Sequence, residues 1–308
     1  MPRTVTVGVD ASRESLAAAE WAAREARLRR LPLRLVNVWE PVPEPMGGAP
    51  TPATETPPDG PEPGGTAPGK TLREAADGIR LRHPGLDVTM QQLTGRASEE
   101  LAKLARDAEL LALGSRGLSG IAGFLVGSVG QAVVAHAERP VVLVRAGERT
   151  AEEHVADPSG TSPGASAFRP VVLGLDIEHP DDTLIGFAFE AAALRATSLR
   201  VVHDWAPPPY FAYDLPDDPD LATEVAHQDG AALTHALRPW RQRSPSVEIV
   251  QDSRPGKAAD HLVDASHEAS LVVVGRRVRR SRLGTHIGPV THAVLHHAAA
   301  PVAVVAHE

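Results

Sequence analysis

A glycine-rich segment with a fixed spacing contains the residue types best suited to bind a charged ligand. It begins with Gly114-Ser-Arg-Gly117, continues for nine residues and ends with Gly127-Ser128, which precede a helical pattern. Glycines let the backbone turn its amides toward a ligand, and the first amides of a helix attract an anion. Ser128 could cap that helix or donate its hydroxyl to a phosphate oxygen. The residues alone leave a phosphate site and a plain glycine-rich turn equally open.

Two copies of one pattern surround this segment and must position it. Val7-Gly-Val-Asp10 matches Leu173-Gly-Leu-Asp176, and Leu111-Ala-Leu-Gly114 matches Val272-Val-Val-Gly275. Such self-similarity along both halves of the chain indicates a tandem duplication. The length of 308 residues agrees, because it corresponds to about two domains of roughly 150 residues each.

The two predicted domains span residues 1–146 and 170–308, and a polar linker at 147–169 that we expect to be flexible joins them. An insert rich in proline and glycine occupies 41–69 of the first domain. In each domain, runs rich in valine and leucine alternate with helical patterns, which is typical of βαβ units in a parallel sheet. We expect five strands per domain, those of the first lying near residues 4–9, 33–38, 86–93, 110–113 and 141–144.

The final strand of each domain is apolar throughout. Val141–Val144 and Val302–Val305 contain no polar position. An apolar strand at a free sheet edge would expose backbone groups that promote aggregation. We therefore expect the two repeats to pair within the chain, each covering the last strand of the other.

Three motifs together resemble one protein family. Gly-x2-Gly-x9-Gly-Ser after the fourth strand, Val-Gly-Val-Asp in the first and Arg139-Pro-Val-Val at the fifth are similar to the universal stress protein family in its tandem two-domain form. The resemblance covers nearly all of both repeats, without the insert and the linker. It implies an α/β fold of two tandem Rossmann-like domains of the adenine nucleotide alpha hydrolase type. Each would be a five-stranded parallel sheet in the order 3-2-1-4-5, which binds ligands where strands one and four diverge.

The resemblance also implies which residues surround the ligand. It places Asp10 and the backbone near Val38 around adenine and ribose, with Gly8 in the same crevice. It places ribose and phosphates next to a second set of residues, Gly114, Arg116, Gly117, Gly127, Ser128 and Val129. The implied ligand is ATP, ADP or AMP, with Mg²⁺ as a candidate companion ion. For Asp10, a cap on the turn after the strand is the alternative role.

The second repeat departs from the family pattern. Gly275-Arg-Arg-Val278 and Gly288-Pro289 replace one loop glycine and the serine. Pro289 brings neither a backbone N–H nor a hydroxyl to a phosphate. Asp204 stands where the first repeat has Val38, which is a further loss for an adenine pocket. We therefore expect the second site to be weak, altered or empty; its residues would be Asp176, Gly275, Arg277 and Gly288.

A basic run in the same repeat leaves two interpretations open. Arg276, Arg277, Arg279, Arg280 and Arg282 could hold phosphates by charge alone. Charge runs more often lie on a solvated loop or make salt bridges between repeats, and we favour that interpretation.

Composition excludes several classes of protein and site. The chain has no cysteine, which rules out disulfide scaffolds, iron–sulfur clusters and thiol nucleophiles. A net charge of −8 argues against general binding to nucleic acid. The apolar run within Met1–Asp10 is too short for a secretion signal, and the uncharged stretch Gly117–Ala135 is too rich in glycine for a membrane span. We expect a cytoplasmic protein with no membrane or nucleic-acid partner.

Two other motifs suggest chemistry that we do not expect. Gly64-Gly-Thr-Ala-Pro-Gly-Lys70-Thr71 fits a P-loop, but it follows a proline-rich segment where a P-loop requires a buried strand. His292 and His296 have the helical spacing of a zinc site but no evident carboxylate partner, so we expect no metal ion. Gly160-Thr-Ser-Pro-Gly164 has the spacing of the hydrolase motif Gly-x-Ser-x-Gly, but it lies in the polar linker and not between a strand and a helix, and we assign no catalytic residue.

The expected function is that of a nucleotide-binding stress regulator, not an enzyme. Nucleotide bound to the first repeat would order the loop Ser115–Val126 and change the surface offered to a regulatory protein. Pairing of two chains into a homodimer stays open. One alternative is an interaction or dimerisation scaffold without nucleotide, which would use the apolar last strands and the insert. Another is a slow ATP hydrolase that depends on Asp10.

Overall fold

The computed structural model describes most of both repeats. Gly117 and Arg116 lie outside the described residues, as do the P-loop-like Gly64 and most of the insert and arginine run. The described ranges are 3–40, 68–115, 127–146, 153–155, 166–205, 219–278 and 287–308.

Strands and helices alternate along both repeats. In the first repeat they are β1 (Thr4–Gly8), α1 (Arg13–Arg29), β2 (Leu33–Trp39), α2 (Pro68–Arg82), β3 (Val88–Thr94), α3 (Ala97–Ala105), β4 (Ala108–Ser115), α4 (Ser128–His136) and β5 (Val141–Arg145). In the second they are β6 (Val171–Gly174), α5 (Asp182–Leu194), β7 (Leu199–Trp205), α6 (Pro219–Arg243), β8 (Ile249–Pro255), α7 (Ala258–Ser266), β9 (Leu271–Arg277), α8 (Pro289–His297) and β10 (Val302–His307).

The strands form one sheet in the order β3-β2-β1-β4-β5-β10-β9-β6-β7-β8. Within each repeat the pairs are parallel, and each half has the order 3-2-1-4-5. The α/β fold class predicted for the two repeats is therefore confirmed. In each half the first strand lies between the second and the fourth, so the chain leaves these strands in opposite directions.

An antiparallel pair joins the two halves into a continuous sheet of ten strands. β5 pairs with β10, and Val142 lies opposite Ala303 at the centre of the joint. Each repeat thus covers the apolar last strand of the other, although as one sheet and not as two separate sheets. Because the joint is antiparallel, the carboxyl ends of the strands lie at one edge of the sheet in the first half and at the opposite edge in the second.

A buried ion pair links the first helices of the two repeats. Glu25 of α1 accepts a hydrogen bond from Arg195, just after α5, at 2.6 Å, and both side chains are 1% exposed. Arg29 donates to the other carboxylate oxygen of Glu25 at 2.7 Å and lies 3.2 Å from Glu190. Burial opposes ionisation of Glu25, but the charges of Arg195 and Arg29 outweigh it and keep the pKa of this carboxyl below its usual value.

One arginine of the basic run makes a contact between the repeats. Arg276 is buried, and its guanidinium donates to the backbone carbonyl of Ala137 at the end of α4. Burial lowers the pKa of Arg276 from its usual value. Of the two arginines of the run that the structure describes, Arg276 thus makes a contact between the repeats. Its guanidinium binds a main-chain carbonyl and is not solvated.

Two boundaries differ from the sequence-based expectations. α2 begins at Pro68, so Lys70 and Thr71 of the P-loop-like motif lie inside a helix, and Lys70 is 69% exposed. Parts of the linker make defined contacts, while its flexibility stays a prediction. His154 pairs with Phe168 in an antiparallel bridge, and Glu153 forms an ion pair with Arg24 of α1.

The ion pair at Glu25 should contribute a pH-dependent part of the stability. A carboxyl with a lowered pKa in the folded state stabilises the fold above its unfolded pKa, near 4.5, and loses that contribution as the pH falls below it. In Glu25→Gln, two buried arginines lose their charged partner, which should lower the free energy of unfolding at pH 7 by about 3–5 kcal/mol. Urea unfolding from pH 7 to pH 3 measures both effects.

Glu190→Gln is the matched control, because Glu190 belongs to the same network but is 52% exposed. It should change the free energy of unfolding by about 1 kcal/mol or less. The loss of stability below pH 4.5 should be smaller in Glu25→Gln than in the unmodified chain. Equal pH profiles, or equal effects of the two substitutions, would contradict this assignment.

Candidate functional site

The carboxyl ends of β1 and β4 open into a cavity of about 240 Å³, in the crevice where sheets of this order bind ligands. Strands β1, β2 and β4 and the starts of helices α1, α3 and α4 form its walls. The structure brings together seven residues proposed from the sequence, Gly8, Asp10, Val38, Gly114, Gly127, Ser128 and Val129. The other two, Arg116 and Gly117, lie outside the described residues.

Asp10 organises the turn from β1 into α1. Its carboxylate Oδ1 accepts hydrogen bonds from the backbone N–H and the hydroxyl of Ser12, at 3.1 and 2.5 Å. Ser12 in turn caps α1 by accepting from the N–H of Ser15 at 3.1 Å. The turn-cap role that the sequence left open for Asp10 is therefore present, and the same residue also lines the cavity.

The start of α4 presents backbone amides at the cavity wall. The N-cap residue is Gly127 and not Ser128, so the capping role considered for Ser128 is not the one it has; the carbonyl of Gly127 accepts the first bond of the helix from Gln131. The amides of Ser128, Val129 and Gly130 come before that bond, so the helix itself offers them no acceptor. All three residues line the cavity, which gives it a wall with the partial positive charge of a helix N-terminus.

Gly114 shapes the cavity through a close backbone approach. A Cβ atom at this position would lie 2.4 Å from the carbonyl carbon of Glu14 and 2.6 Å from the nitrogen of Ser15. The start of α1 can therefore contact the end of β4 only because residue 114 lacks a side chain. Gly127 differs, because a Cβ there would have no atom of the described residues within 4 Å.

Sequence reasoning missed the contribution of α1 and α3. Ser12, Glu14 and Ser15 of the α1 start line the cavity, together with Ala97 and Leu101 of α3. A local signal existed for the first group, because a serine before a helical pattern predicts an N-cap and hence a helix start near the strand end. The α3 residues carry no such signal, and only the folded sheet brings them to the crevice.

The second repeat has a cavity at the corresponding crevice, between β6 and β9. Its volume is about 460 Å³, larger than the first. Asp176, Gly275, Arg277 and Gly288, the residues proposed from the sequence, all line it. The second repeat thus contains an open cavity. That this site binds nucleotide weakly, differently or not at all stays a prediction.

The polar groups at the rim of the second cavity largely contact one another. Asp176 repeats the turn of the first site, because its Oδ1 accepts from the backbone N–H of Glu178 at 3.0 Å. Its other oxygen lies 3.5 Å from Arg277 and 3.3 Å from His179. In the described part of the chain, Asp176, Glu178 and His179 form the one cluster with the spacing of a metal site, and all three are exposed. The rings of His292 and His296 are tilted by 33° with their centroids 4.3 Å apart, and among the described residues neither histidine belongs to such a cluster.

Fold and crevice define an α/β protein of two Rossmann-like repeats, each with a cavity at its topological switch point. The family model of the universal stress protein family matches residues 1–145 and 167–306. The chain therefore belongs to the universal stress protein family, which confirms the resemblance drawn from the sequence.

Individual relatives agree over nearly the whole chain. A universal stress protein of Mycobacterium tuberculosis is 30% identical over 97% of this chain and 96% of its own length. One from Mycolicibacterium smegmatis is 29% identical over 98% of this chain and 96% of its own length. The crystal structure of a universal stress protein from Archaeoglobus fulgidus covers 99% of this chain and 98% of its own, with a TM-score of 0.61 at 14% identity, and so shares the fold.

None of the helices in the described part of the chain is long and apolar enough to cross a membrane.

Gly114 and Gly127 should differ sharply in their tolerance of a methyl group. Gly114→Ala would place a Cβ against the backbone of α1, and we expect it to lower the free energy of unfolding by about 1–3 kcal/mol. Gly127→Ala adds a methyl group in open space at φ −59°, and should cost about 1 kcal/mol or less. Urea unfolding of the two variants measures the difference, and equal losses would refute the close approach of α1 to β4.

Proposed function

We propose that the first cavity binds an adenine nucleotide, ATP, ADP or AMP. The observation that carries the proposal is the first turn of α4, whose amides have no acceptor within the helix and belong to residues that line a cavity at the switch point of a universal stress protein fold. Amides at a helix N-terminus are suited to phosphate oxygens. Ser128 is the first residue of α4, and its hydroxyl is a further donor for the same group.

The opposite wall suits a base and a ribose. Val36 and Val38 of β2 and Leu101 of α3 supply apolar surface for an adenine ring, and Asp10 supplies carboxylate oxygens for ribose hydroxyls. The volume of about 240 Å³ lies below the roughly 300–1,000 Å³ of typical ligand pockets, so we place the base and the ribose inside and the phosphates along α4. Carboxylates of Asp10 and Glu14 at the wall are also the oxygen ligands that Mg²⁺ prefers.

The proposed role is regulation by binding, in the cytoplasm. Nucleotide would order the loop Ser115–Val126, which connects β4 to α4, and change the surface that a regulatory protein contacts. For Asp10, hydrogen bonds from Ser12 give a structural reason for the carboxylate without any catalytic step. Turnover of ATP that disappears in Asp10→Ala would favour the hydrolase alternative instead.

The pairing of the last strands weakens the alternative of an interaction scaffold without nucleotide. That alternative assigned the apolar last strands to partner proteins, but β5 and β10 pair with each other inside the chain. The other surface in that hypothesis is the insert, most of which lies outside the described residues. A homodimer would have to form through some other face.

Blocking each cavity in turn tests the assignment to the first repeat. Gly127 and Gly288 are matched N-cap residues, with φ of −59° and −60°. No atom of the described residues lies within 4 Å of where a Cβ would be, so a chain with valine at either position should fold and carry that side chain at the cavity wall. Chain purified without added ligand is denatured and its released adenine nucleotide is quantified; stripped chain is then titrated with ATP and AMP by calorimetry. Gly127→Val should weaken adenine nucleotide binding by about tenfold or more, because it obstructs at least one charge-assisted hydrogen bond.

Gly288→Val should leave that binding unchanged. Absence of any binding by the unmodified chain would refute the proposed function. Equal binding by Gly127→Val and the unmodified chain would move the nucleotide to another site.

A further inference from the structure

The imidazole ring of His203 contacts two acceptors at once. His203, in β7, lines the second cavity and is 8% exposed. Its Nδ1 lies 2.9 Å from the carbonyl oxygen of Leu175, and its Nε2 lies 3.1 Å from the carboxylate of Asp229 in α6. A carbonyl oxygen and an ionised carboxylate only accept hydrogen bonds, whereas a neutral imidazole has one N–H and one lone pair. The two contacts together therefore require the imidazolium form, in which both ring nitrogens carry a proton.

The first repeat has a group that does not titrate at the matching position. Asn37 in β2 donates from its amide to the carbonyl oxygen of Val9 at 2.8 Å, as Nδ1 of His203 does to Leu175. The other end of that amide, Oδ1, is buried and has no partner among the described residues. The second repeat therefore keeps the bond to the main chain and adds a charged link to a helix.

The other titratable groups around His203 contact different partners. Asp204, the next residue of β7, lies on the opposite face of the strand and accepts a hydrogen bond from His261 in α7. The groups of the neighbouring elements contact one another, namely Asp252 with Arg200 and Arg254, Asp176 with Arg277 and His179, and Asp181 with His307. Among the described residues, Asp229 is therefore the carboxylate that contacts His203. Ser253 donates to the same oxygen of Asp229 at 2.9 Å.

Loss of one proton from His203 must break one of its two contacts. A neutral ring keeps a single N–H, and its other nitrogen then turns a lone pair toward an oxygen atom. Leu175 is 5% exposed, so its carbonyl would lose a hydrogen bond that water cannot easily replace. Asp229 has a second donor in Ser253, and its side chain is 15% exposed and can be hydrated. The remaining proton should therefore stay on Nδ1, and the contact with α6 is the one that is lost.

We propose that His203 is a pH-sensitive latch between the wall of the second cavity and α6. The latch consists of the contacts of His203 with Leu175, the residue after β6, and with Asp229. Because it is complete only in the protonated state, it holds α6 at low pH and releases the helix as the pH rises through the titration of His203. The charge of a histidine changes between about pH 5 and pH 8, so the latch responds near neutral pH. It does not depend on nucleotide binding in the first cavity.

NMR of the full chain labelled with ¹⁵N tests the protonation state directly. The imidazole signals of His203 are those that disappear in His203→Asn. At about pH 5.5 we expect both ring nitrogens to carry a proton, and at about pH 8.5 we expect Nδ1 alone to carry one. A neutral ring at the lower pH, or a neutral ring protonated on Nε2 at the higher pH, would overturn the proposal.

Hydrogen–deuterium exchange measures whether α6 follows the proton. Protection factors are compared at the two pH values, since they already contain the correction for the intrinsic exchange rate. In the unmodified chain, the amides of α6 next to Asp229 should be protected about tenfold more at about pH 5.5 than at about pH 8.5. Tenfold is the change expected for the loss of one charge-assisted hydrogen bond.

Two substitutions distinguish the latch from a general effect of pH. His203→Asn introduces the side chain found in the first repeat, which donates to a main-chain carbonyl but is too short to reach Asp229 as well, so α6 should be weakly protected at both pH values. Asp229→Asn should have the opposite result. Its amide accepts from a protonated Nε2 through oxygen and donates to a neutral Nε2 through nitrogen, so α6 should stay protected at both pH values.

Three results of the exchange experiment would overturn the proposal. They are equal protection of α6 at both pH values in the unmodified chain, a tenfold change that persists in His203→Asn, and a tenfold change that persists in Asp229→Asn. Asp229→Asn alters a partly exposed side chain, so it still decides the question if His203→Asn does not fold. Failure of adenine nucleotide binding would instead refute the proposed function of the first cavity and leave the latch unaffected.

Discussion

The antiparallel pairing of β5 with β10 is the constraint on which the rest of the structure depends. It converts two apolar edges into the centre of a sheet, which is why Val141–Val144 and Val302–Val305 can be apolar throughout. It also fixes the relation of the two repeats, because strands that run oppositely across the joint end at opposite edges of the sheet. The two cavities consequently lie at opposite edges of the sheet.

Contacts on either side of the joint hold this arrangement. The ion pair between Glu25 and Arg195 connects α1 to the end of α5, and Arg276 connects β9 to the last carbonyl of α4. A buried ion pair adds little stability by itself, but the loss of one partner leaves a buried charge that is costly. These contacts therefore add little to the stability of the native arrangement, but they raise the free energy of any other orientation of the two repeats, in which the buried charges would lose their partners.

The duplicated framework is preserved while the cavity walls differ. Asn37 and His203 both bind a main-chain carbonyl at the end of the first strand of their repeat. Gly114 and Gly275 both lie where a Cβ would collide, with the backbone of α1 in one case and the His307 ring in the other. Against this shared framework, the matching wall position is the apolar Val38 in the first cavity and Asp204 in the second.

Local patterns in the sequence predict much of this fold. The runs of valine and leucine predict the strands, and the repeated motifs predict the duplication, because both signals lie within short stretches of chain. The strand order came from the family resemblance and was confirmed. The pairing of Glu25 with Arg195 could not be predicted, because nothing local to either residue indicates a partner 170 positions away.

Some residues of the candidate sites can be recognised from the sequence, and others only from the fold. Glycines and the serine at the start of α4 are visible as a motif, whereas Leu101 reaches the first cavity only through the packing of α3. From the sequence, Asp204 is a loss for an adenine pocket. The structure shows it as a buried acceptor paired with His261, a relation that joins different elements of the second repeat.

Hydrogen–deuterium exchange of the full chain with and without saturating ATP is the most direct test of the central claim, that the first cavity is the adenine nucleotide site. We predict slower exchange at the amides of Ser128, Val129 and Gly130 and in the turn after β1, with no change at the start of α8. Unchanged exchange at the start of α4, or equal protection at the start of α8, would contradict the account.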